Sequence, residues 1–282
     1  MAHLDATLVD AFGLALQAAA ALIVSHGLCC SIIMHYDLSG KWAKYALHKT
    51  RAVTIQDYLD GYKSFAADLV LLFLPCLTFC FWYRLNEIES TFWIVATRKF
   101  GLFPPTSHLQ SAASSWASSK RIFFPLCTAA SQDSIVIALT KLATGYILGK
   151  IWAFAVHYAL HYPPFYKKWH RQHHCDPKML VASRAWQDSY TEYAIMELPS
   201  FALTVIAFPT RFYIHLLHFA WHGWDGACGH SGFCAPGVVG AIFDGTYHYH
   251  HHARLTVNYA EVEILDKLFG THHSQKTKKT VQ

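Results

Sequence analysis

Three histidine boxes stand in order along the second half of the chain: His157-x-x-x-His161, His170-x-x-His173-His174 and His248-x-His250-His251-His252. On a helix, positions i and i+4 share a face, so His157 and His161 can serve one metal. At about 100° per residue, His170, His173 and His174 fall within one sector of about 100°. His248, His251 and His252 repeat that pattern. His250 falls about 200° from His248 and is expected at the surface or behind the ligands. His215, His218 and His222 form a stripe at i, i+3 and i+7, for which buried histidines bonded to carbonyls are an equal reading. His230 follows a break in Gly229-His230-Ser231-Gly232. The boxes alone supply eight imidazoles, and His230 a ninth. Zinc usually takes about four ligands and an octahedral ion about six, so the set suits two metals with positions left open for substrate or oxygen. Neutral imidazole suits iron, zinc, copper or nickel.

The clustering is regional. Of the 20 histidines, 15 lie between His157 and His273, so a local cause is needed. Only 15% of the residues are charged and 53% are hydrophobic, against roughly 25% charged in soluble domains, which points to a chain partly dissolved in lipid. A net charge of +5 fits an anionic membrane leaflet and does not suggest nucleic acid. None of the eight cysteines forms C-x-x-C, and most sit in apolar runs, as buried free thiols do. The beginning MAHLDATLVD is acidic and lacks the basic region of a cleaved signal.

Long apolar helices must position the boxes. Residues 11–34 form a first candidate span, followed by Lys41, Lys44, Lys49 and Arg51, a cytosolic exit by the positive-inside rule. Residues 66–83 form a second. Residues 135–161 form a third, which delivers His157 and His161 near one interface. Residues 194–221 read as a pair of short helices, broken at Pro199 and again at Pro209-Thr210-Arg211. Simple alternation of spans would put Arg98, Lys99, Lys120 and Arg121 on the lumenal side, so residues 84–134, with Pro104-Pro105 and a serine-rich stretch at 111–120, are expected to follow an interfacial path. The expected division is N-terminal membrane helices and loop at 1–134, a catalytic region at 135–275, and a basic tail at 276–282, with no linker between them.

Taken with Gly229-His230-Ser231-Gly232-Phe233, Asn258-Tyr259 and LDKLFGTH at 265–272, the boxes resemble the fatty acid hydroxylase/sterol desaturase superfamily over roughly residues 135–275. The resemblance implies an all-α, integral-membrane four-helix bundle capped by a cytosolic, histidine-lined di-metal site. It implies two iron ions, O2 as cosubstrate, and oxidation of a C–H bond in a sterol, acyl, sphingoid or related lipid, including tailoring chemistry on terpenoid or polyketide-type molecules. Electrons would come from NAD(P)H through a separate reductase or b-type cytochrome, because the chain carries no nucleotide-binding motif. The metal role carries over to His157, His161, His170, His173, His174, His230, His248, His251 and His252. Some members place a tenth histidine where this chain has Gly226; His222 is the nearest substitute. Where many members have His-Pro and an acid after the second box, this chain has Ala185-Trp186-Gln187-Asp188 and Glu192, a stretch expected to shape the substrate pocket. Asp225 and Asp244 are the acids expected behind the ligands.

Two other classes fit less well. A membrane zinc hydrolase needs a glutamate base as in H-E-x-x-H, which is missing. A metal transporter places ionisable groups deep in its spans, whereas most of these histidines follow the apolar runs. Placement in the endoplasmic reticulum, with the site facing the cytosol, is expected by analogy, and Lys278-Lys279 would suit retrieval.

Overall fold

The computed structural model describes residues 2–85, 134–174 and 180–273. The expected interfacial path, the basic tail, Cys127, Cys175 and Asp176 lie outside the described residues. Those described are helical, with no strand among them beyond one isolated bridge between Ala46 and Phe233.

The bundle is built from α1 (Ala2–Leu38), α2 (Ile55–Asp68) running through a π-helical turn (Leu69–Phe73) into α3 (Leu74–Leu85), and α4 (Ile135–Leu160). Among the described residues, three stretches are long and apolar enough to cross a bilayer: Leu8–Leu38, Ile55–Arg84 and Ile135–Leu160. The first two exceed the expected 11–34 and 66–83. Polar helix ends such as Thr54-x-x-Asp57, which closes a capping box at the start of α2, extend a helix beyond the apolar window that sequence reading detects. The remaining bundle elements are α5 (Leu198–Ala207) and α6 (Phe212–Gly229), separated at Pro209-Thr210.

Pro199 does not break the chain as expected. A short helical run (Tyr190–Glu192) and a π-helical turn (Tyr193–Glu197) lead directly into α5. Proline has no N–H to offer the carbonyl four residues earlier, here that of Ile195. The widened turn accommodates the ring, and the Ile195 carbonyl accepts a bond from Trp152 Nε1 on α4 at 2.8 Å. The π-helical turn before α3 likewise ends just ahead of Leu74-Pro75.

Close approach of α1 and α6 holds the centre. α1 presents Ala11, Ala15, Ala18 and Ala19 to the core, small residues that let membrane helices approach closely. On α6, a Cβ at Gly223 would lie 2.7 Å from the Leu22 carbonyl oxygen. His26 of α1 is fully buried. It lies 3.3 Å through Nδ1 from the Gly223 carbonyl and packs against Phe65 and Trp186, which also stack on each other. Gly223→Ala must push the two helices apart. The expected cost is about 1–3 kcal/mol, the usual range for overpacking, read as a lowered thermal midpoint in detergent.

Three shorter elements follow: α7 (Gly237–Phe243), α8 (Thr246–Arg254) and α9 (Glu263–Phe269). α8 stops at Leu255, whose φ of 62° takes the left-handed conformation while its N–H bonds the His251 carbonyl at 2.7 Å. Asn258 also has positive φ, 54°, a conformation asparagine tolerates better than leucine does.

Candidate metal centre

Nine histidines from four parts of the chain meet at one end of the bundle. α4 ends at Leu160, with His157 in its last turn and His161 as its C-cap. α6 ends at Gly229, with His230 as its C-cap. The carbonyl ends of these helices carry partial negative charge, which favours cations. The second box closes a π-helical turn (Tyr166–His170) and continues through His173 and His174 in non-helical turns. The third box lies on α8.

The ring nitrogens sort into two groups. His157, His161, His170, His174 and His251 form the first; His173, His230, His248 and His252 form the second. The i and i+4 members stay together: His157 with His161, His170 with His174, His248 with His252. The i+3 members cross over, His173 into the second group and His251 into the first. Each of the two H-x-x-H-H boxes therefore serves both groups.

The hydrogen bonds fix which nitrogens face inward. His157 Nδ1 donates to the Tyr259 carbonyl at 2.6 Å, His251 Nδ1 to the Val257 carbonyl at 2.8 Å, and His230 Nδ1 to the Gly226 carbonyl at 3.1 Å. His170 Nδ1 pairs with Glu192 Oε1 at 2.5 Å, and His173 Nδ1 lies 2.8 Å from Asp188 Oδ1. A carbonyl can only accept, so the three carbonyl partners place the proton on Nδ1 and leave Nε2 with a bare lone pair. Those Nε2 atoms converge. Separations are 3.1 Å for His157–His170, 2.9 Å for His161–His170, 2.9 Å for His170–His174 and 3.1 Å for His161–His251 in the first group. They are 3.0 Å for His230–His248, 2.9 Å for His248–His252 and 3.4 Å for His173–His230 in the second. Nitrogens about 2.0–2.1 Å from a shared ion stand about 3.0–3.4 Å apart in octahedral to tetrahedral arrangements. The donor set fits two metal ions.

Burial keeps these imidazoles neutral. It lowers His173 to about 4 and His230 to about 3, the latter helped by the charge of His173, and holds His248, His251 and His252 well below the ordinary value. Burial also raises Asp188 to about 8 and Glu192 well above the carboxylate range. An unfolded histidine titrates near 6.5, so between about 6.5 and 3–4 the unfolded chain binds more protons than the folded one, and stability falls as pH falls through that window. Protons compete for Nε2 in the same direction. Metal content after dialysis at stepped pH is expected to hold above about 6.5 and to drop progressively below it.

Several expected residues sit elsewhere. His222 joins neither group. It lies two helical turns before His230, its ring against His218 and Phe201 at centroid distances of 4.5 and 4.8 Å, because α6 turns that face into the bundle below the cap. Asp225 pairs with Lys150 at 3.3 Å rather than with a ligand. Asp244 accepts the Thr246 N–H at 2.8 Å, at the start of α8. The acids behind the ligands are instead Asp188 and Glu192, from the stretch expected to shape the pocket. Outer carboxyl groups of this kind orient a metal-bound imidazole, and their loss typically costs about 10–100-fold in metal affinity. Glu192→Gln is expected to weaken metal binding by that range, measured by competition with a chelator.

Asp266 is given no role of its own by the sequence. It is fully buried and accepts from Tyr259 N at 2.9 Å, Ala260 N at 2.8 Å, Tyr247 Oη at 2.6 Å and Thr271 Oγ1 at 2.5 Å. It thereby holds the peptide whose carbonyl receives His157, and the tyrosine next to His248. Only its place in LDKLFGTH signalled it. Asp266→Asn puts an N–H where acceptors are needed. It should destabilise the protein by about 1–3 kcal/mol, in line with bonds to charged groups, and weaken metal retention together with the thermal midpoint.

Comparison with known proteins agrees with this geometry. Residues 142–271, which contain all nine histidines, match the family model described as fatty acid hydroxylase. This region is similar to the fatty acid hydroxylase/sterol desaturase superfamily. No curated protein and no solved structure matches the chain. The matched family implies an oxidoreductase, and the long apolar helices fit a membrane protein.

Proposed function

We propose that the protein is an O2-dependent di-iron oxygenase that hydroxylates or desaturates a C–H bond of a lipid-like substrate. The observation that carries this reading is the convergence of nine imidazole Nε2 atoms into two adjoining groups, in a region that matches the family model. One iron would be held by His157, His161, His170, His174 and His251, and the other by His173, His230, His248 and His252. Bound iron supplies oxygen activation and C–H cleavage.

The protein's own part is to hold and orient. Carbonyls of Tyr259, Val257 and Gly226 and the carboxylates of Glu192 and Asp188 aim the imidazoles. Neutral imidazoles add no negative charge, so two bound ions would keep their full cationic charge. The apolar bundle presents a chosen carbon to the cap, where placement decides between alcohol and alkene. NAD(P)H electrons arrive through a separate reductase or b-type cytochrome. The membrane is that of the endoplasmic reticulum, with the cap facing the cytosol.

The test is metal content per chain in detergent-purified protein, with His251→Ala alongside. About two irons per chain, sharply reduced in the variant, are expected. Such protein, given NAD(P)H, reductase and a lipid extract, should yield a product that has gained one oxygen or lost two hydrogens. Less than one metal per folded wild-type chain would sink the reading.

A further inference from the structure

Two short helices at the cap end of the bundle turn apolar edges outward. On α9, Ile264 and Leu268 lie four residues apart on one edge, with Phe269 at its end, and the three are 64%, 73% and 66% exposed. On α7, Val238 and Ile242 repeat that spacing and are 76% and 44% exposed. The opposite sides hold both helices in place. Leu265 of α9 packs with Phe154, Tyr259 and Ala260, and Phe243 of α7 lies against Trp42 and Trp224. Neither helix is part of a candidate span. Large side chains exposed together in this way mark a surface that something covers.

Depth along α4 indicates what covers α9. α4 has 26 residues, or about 39 Å at about 1.5 Å each, against about 30 Å of hydrocarbon. Counted from Ile135, the hydrocarbon ends about twenty residues on, at Phe154. The Phe154 ring lies 5.0 Å from that of Phe269, so α9 stands at this boundary. The outward face of α4 runs up to it through Ile147 and Ile151, both exposed. α9 therefore continues a surface that already faces lipid.

Beyond the boundary the chemistry is that of a headgroup layer. Past Phe154, Tyr158 and Tyr162 are exposed, Phe165 stacks on Trp169 at 5.4 Å, and Lys168 lies 5.0 Å over Trp169, next to the exposed Lys167. At the end of α1, Lys41 lies 5.9 Å over Tyr36 and Lys44 4.8 Å over Tyr45. Aromatic rings with lysines beside them suit the membrane–water interface and its anionic lipids. The same belt thus follows two different spans, each with an apolar-edged helix close by.

We propose that α7 and α9 are interfacial feet. Their apolar edges enter the acyl–headgroup boundary of the bilayer that α1 and α4 cross, and the lysines of both belts meet anionic phospholipid headgroups. The inner side of α9 carries Asp266, which holds the peptide receiving His157, so the depth of this foot sets the height of the cap over the bilayer. The proposal needs neither the metals nor the reaction.

The experiment places the full chain, one copy per nanodisc, in phosphatidylcholine containing phosphatidylserine. Two photoreactive phospholipids are compared, one with a diazirine close to the ester (shallow) and one with it at the acyl terminus (deep). The shallow probe is expected to label residues 238–242 and 264–269 more than the deep probe does, while the deep probe labels the middle of α4. Ile264→Asn with Leu268→Asn should lower shallow labelling of α9 by roughly tenfold or more, as the loss of buried apolar side chains implies, and leave deep labelling of α4 unchanged. A shallow probe on phosphatidylserine should label residues 162–171 roughly fivefold more than one on phosphatidylcholine, and Lys167→Gln with Lys168→Gln should remove that preference. Labelled α4 with both short helices unlabelled would overturn the proposal, as would undiminished labelling of α9 in the asparagine pair. Cross-links between copies through 264–269, formed in discs holding two chains and at the expense of lipid labelling, would assign the face to a second copy and overturn it too. If the asparagine pair does not fold, the ratio of shallow to deep labelling at α9 in the wild type decides.

Discussion

The arrangement depends on one electrostatic constraint: several imidazole Nε2 atoms are brought to about 3 Å from one another, and on His157, His230 and His251 the carbonyl bonds leave that atom a bare lone pair. Without a cation such a cluster repels itself, in a buried environment where the repulsion is poorly screened. The carbonyls of Tyr259, Val257 and Gly226 impose it, because they can only accept. The outer bonds therefore decide the affinity of the inner atoms, and the fold can be understood as the set of contacts that keeps those three carbonyls in place. Asp266 is central to that set. It fixes the peptide around Tyr259 from one side and the start of α8, through Tyr247, from the other.

The bundle serves the cap in a second way. α4 and α6 both point their carbonyl ends at it, adding partial negative charge at the place where cations are needed. The tight α1–α6 contact at Gly223 sets where the end of α6, and so His230, can lie.

Convergence of the histidines was legible in the sequence, because i, i+4 spacing on a helix is nearly independent of context. The partition between groups was not. At about 100° per residue the angles put His170, His173 and His174 in one sector, yet His173 and His174 lie in non-helical turns, and only tertiary structure sends them to different groups. His222 is the reverse case: its spacing made it a candidate, but α6 packs that face against Phe201 and it joins neither group of nitrogens. The partners of the histidines were least legible. Backbone carbonyls carry no residue code, and Asp188, Glu192, Asp225 and Asp244 look alike until the chain is folded. Span lengths were underestimated where polar capping residues extend a helix, and Pro199 misled because a π-helical turn and Trp152 jointly absorb its missing donor.

The crossing of His173 and His251 between groups has a consequence for assembly. An ion held by either group would draw the second and third boxes into register and so pre-form part of the other. A first ion would then ease the binding of a second, and the two groups would load and empty together rather than independently.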